Sequence, residues 1–163
     1  MKTVRITALA ILLSGILVAC SSSKQVRSNT KNINGNWLLK TVSTEGITGK
    51  INMQLFNEAD FNCFIGSTWH FDNKNNLGSY SIEKNAGECA AIKREIRWSF
   101  DESNGTPALF QFKRLNDKLK DLDENAGGFK FSITQLEAAS MTLQSAIRFE
   151  GKPATVTYYF VRL

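Results

Sequence analysis

From residue 35 to residue 163, short apolar or β-branched segments alternate with turn-forming ones. Within the segments, hydrophobic and polar positions alternate with a period of two. The clearest runs are Met141, Leu143, Ser145, Ile147, Phe149 and Val156, Tyr158, Phe160, Arg162, each with the intervening residues on the other face. The pattern predicts eight strands: Trp37–Val42, Thr68–Asp72, Leu77–Ile82, Ile92–Phe100, Ala108–Arg114, Phe129–Leu136, Ser140–Phe149 and Thr155–Arg162. One stretch, Ile51–Phe61, has helical spacing, with Ile51, Leu55 and Ala59 four apart. It predicts a short helix that acts as a lid or plug. Eight consecutive antiparallel strands in about 130 residues predict an all-β, up-and-down barrel, because closure removes exposed sheet edges.

In such a meander, alternate connections share an end. The predicted connections at 43–67, 83–91, 115–128 and 150–154 fall at one end; those at 73–76, 101–107 and 137–139 fall at the other. The three longest are all at the first end, which predicts an open mouth above a closed base. By parity the inward residues are Trp69, Phe71, Tyr80, Ile82, Ile96, Trp98, Phe110, Phe112, Phe131, Leu143, Ile147, Tyr158 and Phe160. Arg94 shares its face with Ile96 and Trp98, on the mouth side. An aromatic wall of this kind suits a flat or acyl ligand, with tyrosine hydroxyls orienting it and Arg94 available to an anionic head group. The alternative is a solid core in which these rings pack on one another and Arg94 reaches water or a carboxylate. From these positions the candidate ligand residues are Trp69, Phe71, Tyr80, Arg94, Ile96, Trp98, Phe110, Phe112 and Tyr158.

The amino terminus stands apart. Lys2 and Arg5 precede an uncharged apolar run, Ile6–Val18, of 13 residues. As a helix it would reach about 20 Å, short of the roughly 30 Å hydrocarbon core. The run ends in Leu17-Val18-Ala19-Cys20, which resembles the lipobox of bacterial lipoproteins. The resemblance implies a signal peptide over 1–19, cleavage before Cys20, and lipidation of that cysteine, whose thiol is the nucleophile the chemistry needs. Several acyl chains would anchor the protein stably to a membrane without a spanning segment. Residues 20–34 are polar and glycine-free and read as a tether, about 50 Å long if fully extended; 35–163 is then the folded domain. By resemblance to known sorting patterns, the lack of an acidic residue just after Cys20 favours the outer membrane with the domain facing the periplasm.

Charge and rare residues narrow the function classes. Loss of Lys2 and Arg5 with the leader lowers the formal charge from +5 to +3. The remaining charges are interspersed, without the basic stripe of a nucleic-acid binder. The single histidine, His70, has outward parity, and no HExxH, CxxC, phosphate loop or Gly-x-Ser-x-Gly is present. The acidic group Asp117, Asp121, Asp123, Glu124 lacks the spacing of a calcium loop. No metal, cofactor or enzymatic activity is expected. With Cys20 lipidated, Cys63 and Cys89 form an even pair in an oxidising compartment, both in connections at the mouth. They predict a disulfide fastening the 43–67 connection over the opening; the competing reading is a reactive thiol near His70.

Gly35-Asn36-Trp37 at the start of the first strand resembles the Gly-x-Trp signature of lipocalins, and Arg162 stands where that family places an arginine across the tryptophan. More closely, 35–162 resembles the lipocalin-like domain of bacterial envelope lipoproteins. That likeness is carried by Cys63–Phe71, Gly78-Ser79-Tyr80, Arg97-Trp98-Ser99 and Phe149-Glu150-Gly151-Lys152-Pro153. It implies an eight-stranded barrel whose base is sealed by Trp37 and Arg162. The expected function is non-covalent binding of a small hydrophobic molecule. The rival is a non-enzymatic module with a filled barrel that grips another envelope protein.

Overall fold

The computed structural model describes residues 24–48, 53–83, 89–102, 108–122 and 127–163. Cys20, its lipobox, Asp123 and Glu124 lie outside the described residues. A helix, α1 (Lys24–Ile33), leads into β1 (Gly35–Glu45). A miniature hairpin follows, β2 (Gln54–Leu55) and β3 (Ala59–Asp60), then a single helical turn, α2 (Phe61–Phe64). The remaining strands are β4 (Thr68–Asp72), β5 (Leu77–Ile82), β6 (Ile92–Asp101), β7 (Leu109–Leu115), β8 (Phe129–Leu136), β9 (Ser140–Phe149) and β10 (Lys152–Arg162).

Eight of the ten strands close one antiparallel barrel in the order β1-β10-β9-β8-β7-β6-β5-β4. Apart from the excursion between β1 and β4 and the closing β1–β10 pair, every neighbour in space is a neighbour in sequence. This is the all-β, up-and-down barrel that the alternation predicts, because each strand buries one face and needs a partner on both edges. Burial follows the pleat: along β5, exposure falls at every second residue, at Gly78, Tyr80 and Ile82. Gly78 is a packing requirement, since a Cβ there would sit 2.4 Å from the His70 carbonyl oxygen of β4.

The base is sealed where first and last strands meet. Trp37 is paired with Arg162 in the β1–β10 ladder, and the guanidinium lies 4.2 Å from the ring centroid of the fully buried indole. Such a cation–π contact contributes on the order of 0.5–2 kcal/mol. The same side chains hold α1. Trp37 Nε1 donates to the Ile33 carbonyl at 2.7 Å, and Arg162 donates to the carbonyls of Asn32 and Asn34. A cation on the last carbonyls of a helix satisfies groups that have no partner within it.

That arrangement corrects the reading of 20–34 as an extended tether, because ten of its residues are helical. The chain shows why the helix was hard to see. Its buried and half-buried positions are Val26, Asn29, Thr30, Asn32 and Ile33, and only two of them are apolar. Ile33, fully buried, is the residue that docks it.

The short helix expected in the first long loop is present, at Phe61–Phe64 rather than over Ile51–Phe61. Leu55 and Ala59 pair across a hairpin instead of stacking along a helix, and the helical turn falls at Phe61–Phe64. Asp60 caps that turn, its carboxylate accepting from the Asn62 backbone N–H at 2.9 Å. Ile51 lies outside the described residues, and the helical spacing of Leu55 and Ala59 is coincidental.

Candidate functional site

The mouth of the barrel is where β1, β6, β8 and β10 begin or end beside the 46–67 excursion. Beyond Leu38, β1 has no ladder partner in β4. The excursion closes this side, with Leu39 N–H donating to Ser67 O and Gly66 N–H to Leu39 O. Cys63 and Cys89 are joined by a disulfide, with Cα atoms 5.5 Å apart. The strap to the β5–β6 connection is therefore real, and neither cysteine is a free thiol.

The hairpin tip enters the barrel. Leu55–Glu58 is a tight turn closed by Glu58 N–H to Leu55 O at 3.0 Å, with Phe56 (φ 55°) and Asn57 (φ 53°) both left-handed. For asparagine this is ordinary; for phenylalanine it costs about 1–2 kcal/mol. Burial opposes that cost. Phe56 is 6% exposed and its ring lies 5.0–6.4 Å from those of Phe64, Trp69, Tyr80, Phe112, Phe129, Phe131 and Tyr158. Burying a phenylalanine contributes about 2–3 kcal/mol, so the strained conformation is held by the barrel's interior.

Two residues later, Glu58 reaches three strands. Its carboxylate accepts from the hydroxyl of Tyr80 (β5), from the guanidinium of Arg94 (β6; Nε at 3.0 Å) and from Arg114 (β7) at 3.5 Å. Arg114 Nη1 also donates to the Asn57 carbonyl at 3.1 Å. The Glu58 side chain is 6% exposed and that of Arg114 10%, so this is an interior ion cluster. Burial by itself would raise the Glu58 carboxyl. The hydrogen bonds from Arg94 and Tyr80 and the charges of Arg94 and Arg114 outweigh it, holding the group below its ordinary 4.5. Burial, then the bond to Glu58, push the Tyr80 hydroxyl far up, so it remains a donor.

A carboxyl depressed on folding adds stability above its unfolded value, and that stability is lost as pH falls through the folded one. Thermal melts between pH 7 and 3 should therefore show a loss beginning near 4.5 and continuing below it. In Glu58→Gln this component should be missing, and the variant should be less stable by about 2–3 kcal/mol at pH 7, since Arg94 loses its carboxylate partner. A wild-type pH profile superimposable on that of E58Q would contradict the latch.

The predicted residues divide by depth. Trp69, Tyr80, Phe112 and Tyr158 surround Phe56, and Arg94 holds Glu58. Phe71 meets Trp98 and Phe110 edge-on nearer the base, the three ring centroids lie 5.7–6.2 Å apart, and Ile96 is fully buried. The interior around Phe56 is thus packed, the second of the two arrangements left open by the sequence. His70 is exposed and bonds Asn36 Oδ1 at 2.7 Å. Among the described residues, no group of three or more His, Cys, Asp or Glu could hold a metal. Phe56, Glu58 and Arg114 were not singled out from the sequence. For Arg114 the signal existed, because it has the inward parity of Phe110 and Phe112.

One opening remains. The β8–β9 ladder runs from Leu136↔Met141 to Ser132↔Gln144, with a bulge between Ile133 and Gln135, and stops there. Nearer the mouth, Phe129–Phe131 and Ser145–Ile147 diverge. Between them and the hairpin lies a cleft of about 350 Å³. Met53, Phe56, Phe129, Phe131, Ile147 and Tyr158 give it apolar walls, and Ser145 adds a hydroxyl. Burial pushes the Tyr158 hydroxyl up to about 12, against a lowering bond with Ser145. It is a neutral polar contact at ordinary pH. A larger groove, about 420 Å³, lies on the outer wall. It is lined by Arg97, Lys113 and Asp121, which already pair with one another.

No protein-family model matches the sequence, and no curated protein does. Among solved structures, the chain is similar to bovine odorant-binding protein complexed with its natural ligand, at 14% identity over 81% of this chain and 72% of that one, with a TM-score of 0.43. It is also similar to the complex of that protein with undecanal, at 13% identity over 88% and 76%, with a TM-score of 0.42. Likeness at this level carries no functional inference.

Proposed function

We propose that this chain is a lipid-anchored, non-enzymatic barrel of the bacterial envelope that binds a small hydrophobic molecule, entering through the gap between β8 and β9. The observation that supports it most is the cleft beside Phe56. Its volume is at the lower end of the range for small-molecule sites, and it combines apolar walls with a few hydroxyls, as such sites do. Titration with the apolar fluorophore N-phenyl-1-naphthylamine should saturate at one molecule per chain. Ile147→Asp, which puts a charge into the wall, should weaken it about tenfold or more. Binding that never saturates, or that ignores the substitution, would refute this site.

A second reading has its own support. Phe56 fills the barrel axis, as expected of a module that uses its loop end to grip another envelope protein. Under that reading the fluorophore does not bind.

The anchor rests on the Leu17-Val18-Ala19-Cys20 resemblance. Intact mass measurement of membrane-extracted protein should find a chain beginning at an acylated Cys20. A soluble, unmodified chain would remove the anchor and, with it, the proposed placement at the outer membrane facing the periplasm.

A further inference from the structure

The hairpin tip has the chemistry of a ligand. It pairs only with itself, as a separate two-stranded sheet, and contributes nothing to the barrel ladders. What binds it to the wall is an apolar body, Phe56, and a carboxylate two residues away, Glu58. The groups that donate to the carboxylate, Tyr80, Arg94 and Arg114, belong to three adjacent barrel strands and not to the hairpin. We infer that residues 55–58 are an internal stand-in for an amphiphilic carboxylate, and that the external ligand displaces them. Its acyl chain takes the place of the Phe56 ring, and its head group takes the place of Glu58 between Arg94 and Tyr80.

Several features of the turn suit such an exchange. Phe56 has a left-handed backbone whose cost is offset by the rings around it, so withdrawal lets the strain relax. The Cys63–Cys89 bridge fixes the chain just beyond the hairpin, so 54–60 can lift while α2 remains seated. The cleft already exposes one flank of Phe56, giving an arriving chain a first contact before the head group exchanges. A free carboxylate restores the counter-charge that Glu58 removes, whereas a neutral amphiphile leaves the Arg94 guanidinium without its partner. Carboxylate specificity thus follows from the wall, given that the barrel binds an apolar molecule at all.

The test compares dodecanoate with dodecan-1-ol by isothermal titration at pH 7.5, using the mature chain, Glu58→Ala and Arg94→Gln. Dodecanoate should bind the native chain about tenfold more tightly than the alcohol, as expected for charge-assisted hydrogen bonds. Glu58→Ala, lacking the internal competitor, should bind it about tenfold more tightly again. Arg94→Gln should reduce the preference for the acid to less than about threefold, and it decides the matter if Glu58→Ala does not fold. Equal affinities for acid and alcohol in the native chain, unchanged in Arg94→Gln, would overturn the stand-in while leaving the apolar cleft in place. Failure of both probes to bind any of the three chains would overturn both.

Discussion

Phe56→Ala should lower the stability of the barrel by about 3–5 kcal/mol, the usual cost of truncating a fully packed phenylalanine. Seven rings lose their common neighbour at once, and the cavity lies among barrel strands whose ladders limit collapse. The backbone gives nothing back, since alanine is also disfavoured in the left-handed region. The cavity should be functional in one respect: a small aromatic molecule added to F56A should raise its melting temperature more than that of the native chain. A loss below about 1 kcal/mol in urea titration would mean that the ring is not the centre of the core.

Removal of the disulfide should be nearly as costly. The bridge spans 26 residues and on the chain-entropy model contributes about 3–4 kcal/mol. Its replacement, Cys63→Ser with Cys89→Ser, should act unevenly. The barrel ladders do not depend on it, whereas α2 and the hairpin owe their placement to Cys63, Phe64 and the Glu58 cluster. Amide exchange should therefore accelerate first over 54–67, ahead of β9 and β10. Uniform acceleration across the whole chain would show that the excursion and the barrel unfold as one unit.

How far the sequence reveals this molecule depends on scale. The eight strands were legible because a half-buried strand writes its pleat as alternation, and the runs at 141–149 and 156–162 are long enough to be unmistakable. The base was legible because an even number of antiparallel strands must bring the last strand's end to the first strand's start. A plug in this loop was legible, but its form was not. Two-residue strands carry no periodicity, and Leu55 and Ala59 mimic a helix. Nothing local announces a phenylalanine with positive φ, because the conformation is imposed by the rings it meets. Glu58 likewise gives no signal, since its partners Tyr80, Arg94 and Arg114 lie 22 to 56 residues away and converge only when the barrel closes. The helix over Lys24–Ile33 was hidden by its polarity, being docked by Ile33 and by carbonyls that accept hydrogen bonds from Trp37 and Arg162.

The most direct measurement of whether this barrel holds an apolar guest is native mass spectrometry of the chain released gently from membranes. One small molecule per native chain, lost when Ile147 is replaced by Asp, is the expected spectrum. Bare polypeptide from both proteins, before and after incubation with dodecanoate, would contradict it and leave a solid barrel whose work is done on its outside.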